Sequence, residues 1–260
     1  MESYILHIAG ITIKILFPLT KDRFFRSLFI RQWKPMLVPY FSSNKNEGER
    51  TIRFFETSFP DFDVHNDIIS IPMARRKGKT FFTPYYISLR QFYWILSQIV
   101  LEEIAKKCGF FLHCSAVHTA KGVMLFLGPS GSGKSTIARM LYPNYPTLTD
   151  DQAIIRKDKK GYSFYQMFVP EKNEAIKIST KKYNIHKFFF LKKSKFISQK
   201  PLTSKSEVLE RMVSQLTTNT DISPQTTANL IEFVKLTNNY NLLSFNLNKP
   251  QIKRFFQQIV

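Results

Sequence analysis

Residues 128–136, Gly-Pro-Ser-Gly-Ser-Gly-Lys-Ser-Thr, constrain this chain more than any other stretch. Gly128, Gly133, Lys134 and Ser135 fill every fixed position of the phosphate-binding pattern G-x-x-x-x-G-K-[ST], with Pro129, Ser130, Gly131 and Ser132 between them and Thr136 following. The flanks agree with the pattern. Gly122 to Leu127 is a short apolar run expected to be a buried strand, and Thr136 to Tyr142 is apolar at helical spacing and stops at Pro143. Glycines let successive backbone N–H groups curl around an anion, and the free N–H groups of the following helix favour a phosphate. Lys134 is placed to neutralise β- and γ-phosphates, and the Ser135 hydroxyl to complete a magnesium shell. A nucleotide site is expected here.

The 260 residues suffice for an α/β domain with an appendage, or for two small domains. Cys108 and Cys114 lack metal-ligand spacing and are too few for a disulfide scaffold, so a reducing, cytoplasmic setting is expected. No uninterrupted apolar run is long enough to span a membrane, and Met1 to Ile8 lacks the positive leader of a signal peptide. Lys and Arg number 38 against 19 Asp and Glu, a net charge of +19. Such a field attracts nucleic acid, anionic membrane surfaces or acidic partners. The basic residues are scattered, however, within a composition rich in Lys, Asn, Ile and Phe, which favours compositional bias over specific nucleic-acid binding.

Along the chain, Tyr4 to Ile8 and Ile11 to Phe17 are two apolar runs parted by Ala9-Gly10, consistent with a hairpin or two edge strands. Leu19 to Trp33 is ambiguous, Ser42 to Arg50 has the character of a loop, and Thr51 to Glu56 and Asp67 to Met73 are β-like. Residues 1–87 are thus expected to form a β-rich segment and residues 88–260 a nucleotide-binding core. Ser88 and Gln91 make a capping box for the clearest helix, which Gly109 should end. Phe110 to His118 is expected to be a strand forming a hairpin with the strand that enters the loop. Beyond the loop, the pattern predicts a short strand at 147–149, a hairpin from Gln152 to Val169, and a strand over Ile185 to Leu191. Helices over 204–216 and 223–237, a last strand from Tyr240 to Leu247 and a closing helix opened by Pro250 complete it.

A nucleotide loop needs a magnesium partner. Asp150 and Asp151 stand at the end of an apolar strand, where one can hold the metal and the other can accept the proton of an attacking hydroxyl. His113 lies on the strand leading to the loop; alternation can turn it to the site, though a lone histidine in an apolar strand is usually a core or surface residue. His118, Met140, Met167 and Cys114 have the character of packing residues.

The series Leu112-His113-Cys114-Ser115-Ala116, then a strand, the 128–136 loop and Leu148-Thr149-Asp150-Asp151, resembles the catalytic core of HPr kinase/phosphorylase. It is also similar to the phosphate-loop region of phosphoenolpyruvate carboxykinase. The nearest resemblance is to HPr-kinase-related proteins that include kinases of lasso-peptide precursors, whose N-terminal segment shares the placement of Tyr4, Gly10 and Pro18. The specific motifs cover about residues 110–152. The resemblance implies an α/β fold with a mixed sheet, ATP and magnesium (Mg2+) as cofactors, Asp150 as the catalytic aspartate, Asp151 with Ser135 at the metal, and His113 near the transferred phosphoryl group. Oligomers occur in the family. The HPr kinase signature Glu-Ile-Arg-Gly is absent; Glu171 and Glu174 stand in the corresponding region without aligning to it. The chain is much shorter than a carboxykinase.

The expected activity is transfer of the γ-phosphoryl group of ATP to a hydroxyl, serine above all, of a peptide or small protein such as a lasso-peptide precursor. A small-molecule alcohol such as free serine is the alternative acceptor, and a nucleotide-binding regulatory module without transfer the alternative class.

Overall fold

Alternation sets the first elements. Ile11, Ile13, Ile15 and Phe17 are wholly buried while the residues between them are half-buried, so one face of this strand meets a core and the other does not. The structure is a computed structural model that describes residues 2–18, 23–43, 48–55, 63–65, 68–70, 74–85, 87–169, 176–217 and 222–259. Glu171 and Glu174 lie outside the described residues. The protein is mixed α/β, with a five-stranded and a nine-stranded mixed sheet and six α-helices among the described residues. It divides into two compact units, Met1–Glu103 and Ile104–Val260.

In the first unit β1 (Glu2–Ile8) and β2 (Ile11–Phe17) form a hairpin, one of the two arrangements the sequence allows. Ala9 and Gly10 both take positive φ, 47° and 79°, as a two-residue turn matched to the twist of its strands requires. The ambiguous stretch, Leu19 to Trp33, overlaps α1 (Arg23–Leu37), which extends beyond it, so this unit is less purely β than its composition suggests. The helix connects β2 to its parallel neighbour β3 (Arg50–Phe55), and such a crossover needs an intervening element. After the small pair β4 (Asp63–His65) and β5 (Ile68–Ser70) come β6 (Arg75–Lys77) and β7 (Thr80–Pro84), giving the sheet order β1-β2-β3-β7-β6. Phe17, Trp33, Phe54 and Phe92 are wholly buried and pack ring on ring, Phe17 stacking on Phe54 at 4.7 Å between centroids. Arg50, 5% exposed, donates from Nε to Glu103 Oε1 at 2.6 Å, a buried ion pair that leaves neither charge unpartnered.

The helix that carries Phe92 is α2 (Leu89–Lys106), and its cap is the one the sequence predicts. Ser88 N–H donates to Gln91 Oε1 at 2.8 Å and Gln91 N–H donates back to Ser88 Oγ at 3.2 Å. Its end differs from expectation. Cys108, φ 55°, takes the left-handed position, and Gly109 instead opens the next strand. Glycine is required there for another reason: a Cβ would lie 2.6 Å from both Ile104 Cγ2 and Ile155 O.

In the second unit the expected strand 110–118 is two strands. β8 (Gly109–His113) and β9 (Ser115–Thr119) part at Cys114 because they serve different neighbours. β8 pairs with β12 (Gln152–Asp158), whereas β9 pairs with β10 (Gly122–Leu127) on one side and β11 (Thr147–Thr149) on the other. The β9–β10 hairpin is the expected one, and α3 (Lys134–Leu141) follows the loop. β13 (Gly161–Gln166) pairs with β12, and β14 (Lys182–Lys193) is longer than the apolar run that signals it. Its first residues pair with β13, and its remainder runs parallel to β10 and to β16 (Tyr240–Phe245). β15 (Ser198–Pro201) closes that edge. The main path is β11-β9-β10-β14-β13-β12-β8.

β10 is apolar throughout because both its faces are covered. Val123, Leu125 and Leu127 enter a core with Val208 and Met212 of α4 (Lys205–Val213) and Leu230 and Phe233 of α5 (Pro224–Leu236). Met124 and Phe126 enter a second core with Ile137 and Leu141 of α3 and Ile252 and Phe256 of α6 (Lys249–Ile259). Three layers therefore fix the end of β10, and with it the start of the loop. No described helix is long and apolar enough to cross a membrane.

Candidate active site

The loop leaves β10 at Gly128 and enters α3 at Lys134. Gly133 has φ 101°, and a Cβ there would come 2.7 Å from the Phe245 ring, so this position excludes side chains on two counts. Pro129, Ser130 and Gly131 are exposed, while Ser135 and Thr136 are half-buried in the first turn of α3. Gly128 N–H donates to Gln215 Oε1 at 3.2 Å.

Lys134 is 7% exposed. Its ammonium turns back over the loop, donating to Gly128 O at 2.7 Å and Pro129 O at 3.3 Å. Burial lowers its pKa, and the nearby Cys114, Asp151 and Asp150 oppose that shift by favouring the cation. The Ser132 hydroxyl is buried with no hydrogen-bond partner. A buried cation and an orphaned donor beside a left-handed glycine turn fit a bound phosphate chain.

The paired carboxylates stand where the sheet divides. β11 pairs with β9 and β12 pairs with β8, so the chain between them, Asp150-Asp151, passes the same point at which β8 and β9 part. Cys114 N–H donates to Asp151 O at 3.1 Å across that break. Thr149, wholly buried, ties the turn by donating from Oγ1 to Gln152 O at 2.7 Å. Because β10 and β11 are each antiparallel to β9, they are parallel to one another, and the loop and the carboxylates emerge at the same end of the sheet.

Asp150 accepts a hydrogen bond from Ser115 Oγ at 2.7 Å, and Ser115 is wholly buried. Asp151 is more open, its side chain 58% exposed, with Oδ1 3.5 Å from His113 Nε2. Burial and the Lys134 charge lower the His113 pKa against the pull of Asp151 and Asp150, which keeps the imidazole neutral near pH 7. Alternation thus turns His113 and Ser115 to the site and buries Cys114 between them. His118 is exposed and packs on Tyr183, Met167 is buried, and Met140 packs against the α3 core.

Among the described residues no three His, Cys, Asp or Glu side chains are grouped to hold a metal. Ser135 and Asp151 suit magnesium, which keeps most of its shell for water and phosphate oxygens and takes only one or two protein ligands. Two contributors are not evident in the sequence. Ser115 has only its alternation with His113 to signal it, and Gln215 has no local signal at all. No family model matches the chain, and no curated protein matches it.

Proposed function

We propose that this chain is an HPr-kinase-like phosphotransferase that moves the γ-phosphoryl group of ATP to a hydroxyl, a serine of a peptide or small protein in the first instance. One observation carries the reading: a complete phosphate loop with a buried Lys134 opens at the same sheet end as Asp150 and Asp151. Bound magnesium-ATP supplies the transferable group and the divalent charge that screens it.

The residues divide the remaining work. Lys134 exchanges its loop carbonyls for phosphate oxygens, and the Ser132 hydroxyl gains the partner it lacks. Low exposure makes that cation more effective than it would be in water. Asp150, oriented by Ser115, accepts the proton of the attacking hydroxyl at its carboxylate. Asp151 and Ser135 would hold the magnesium ion, which would supply divalent charge beside the phosphates. Neutral His113 adds no positive charge of its own and can donate one hydrogen bond toward the transferred group.

The test is ADP release with magnesium-ATP over a panel of serine peptides and small alcohols, free serine included. Lys134→Ala is expected to lower transfer by at least about a hundredfold. Asp150→Asn should lower the rate while nucleotide still binds, and Asp151→Asn should raise the magnesium requirement. Unchanged turnover in Lys134→Ala removes the basis of the reading. Nucleotide binding without transfer to any acceptor favours a regulatory module, and labelling of small alcohols alone moves the acceptor to that class.

A further inference from the structure

The strands beside the loop separate two sides. β11, which leads to Asp150 and Asp151, lies two places from β10 in one direction. In the other lie β14 and then β16, β14 parallel to β10 and β16 parallel to β14. The segments that follow β14 and β16 therefore open at the same end of the sheet as the loop, where α/β sheets take their ligands. They are joined to the loop and to each other. The ring of Phe245, last residue of β16, is the group that a Cβ at Gly133 would strike. Phe245 O accepts from Ser194 N–H at 2.8 Å, and Asn246 Nδ2 donates to Lys195 O at 3.0 Å.

Beside this junction is a shallow, open cavity of about 420 Å³ between the turn after β14 and α6. Phe196, Phe255, Asn246, Gln251 and Arg254 line it. Phe196 is 79% exposed, the most open large apolar side chain described. A ring left so far in water forgoes burial that a bound partner can restore. The polar groups are also arranged for a ligand of mixed character. Asn246 Nδ2 donates to Gln251 Oε1 at 3.0 Å, which engages the carboxamide by its oxygen and leaves its nitrogen as a donor, and Gln251 and Arg254 are both exposed on the same helix. An aromatic platform with donors at its edge suits a flat heterocycle rich in ring-nitrogen acceptors.

We propose that this cavity is the base subsite of the nucleotide, a purine stacking on Phe196 and accepting hydrogen bonds from Gln251 and Arg254. The inference rests on the nucleotide reading of the loop and adds to it the side from which the nucleoside is held. The acceptor then approaches from the β11 side, toward Asp150.

Calorimetric titration with magnesium-ATP and with magnesium tripolyphosphate, on the native chain and on Phe196→Ala, tests it. The exposed position of Phe196 leaves the fold intact on substitution, which circular dichroism checks. The native chain should bind ATP more tightly than tripolyphosphate. Phe196→Ala should weaken ATP about tenfold and leave tripolyphosphate unchanged. Equal ATP affinity in the two proteins, a parallel loss for both probes, or no preference for ATP in the native chain overturns the base subsite while the loop stands. Failure of both probes to bind the native chain overturns the loop reading, and this proposal with it.

Discussion

Gln215 shows how a single buried amide can set a site. It is 3% exposed, and its two oxygens serve two different parts of the site. Oε1 takes the Gly128 N–H at 3.2 Å, and the main-chain oxygen takes the His113 N–H at 2.7 Å. The first residue of the loop and the histidine beside Asp151 are thereby hung from one residue. Gln215→Leu keeps the bulk but leaves the Gly128 N–H unpaired in a dry environment. The expected cost is about 1–2 kcal/mol of stability, read as a lower urea midpoint, together with a several-fold weaker ATP affinity. An unchanged affinity would show that the loop holds its shape without Gln215. Sequence reasoning reaches the loop residues themselves because the pattern that identifies them is contiguous. It misses Gln215 because the bond to Gly128 joins residues 87 apart.

At the scale of elements, the β12–β13 hairpin has a charge-based clamp. Asp158 accepts from Lys182 Nζ at 2.9 Å, from Lys160 N–H at 2.8 Å and from Ser163 Oγ at 3.0 Å. These bonds, Lys182 first, hold its carboxyl at about 2 against an ordinary value of 3.8. The folded state therefore binds this proton less readily than the unfolded chain. The stabilisation is fully present above pH 3.8 and is lost as pH falls toward 2. Asp158→Asn should cost about 1 kcal/mol at pH 7, less than the whole shift implies because solvent screens the pair. Urea unfolding at pH 7 and pH 2.5 checks this, with the difference between native and variant shrinking at the lower pH. A difference of the same size at both values would assign the effect to hydrogen-bond geometry alone. Other element-level features were legible without tertiary information: the Ser88–Gln91 cap, the Ala9-Gly10 turn and the β9–β10 hairpin are all local. The division at Cys114 was not, since Phe110 to His118 is apolar enough for one strand and only its partners, β12 and β10, separate the halves.

For the whole molecule, charge is the feature most open to misreading. The net +19 comes from 38 lysines and arginines scattered along the sequence rather than held in one block. Any nucleic-acid binding should thus be weak and fall steeply with salt, through counterion release alone. Filter binding with duplexes of different sequence, between about 50 mM and 200 mM salt, is expected to show no sequence preference and little retention at the upper value. Tight, sequence-dependent binding at that salt would bring nucleic acid forward as a partner. By itself the sequence determined the mixed α/β class, the loop with its strand and helix, and the candidacy of Asp150, Asp151 and His113. These follow from short-range rules: alternation, caps, glycine geometry and a nine-residue motif. Only the tertiary structure decided that Ser115 orients Asp150, that Gln215 anchors Gly128, and that β14 and β16 run parallel to β10 and end on the loop's side of the sheet. Such placements depend on which strands pair and in what register, and hydrogen bonds between residues distant in sequence leave no periodic trace in the chain.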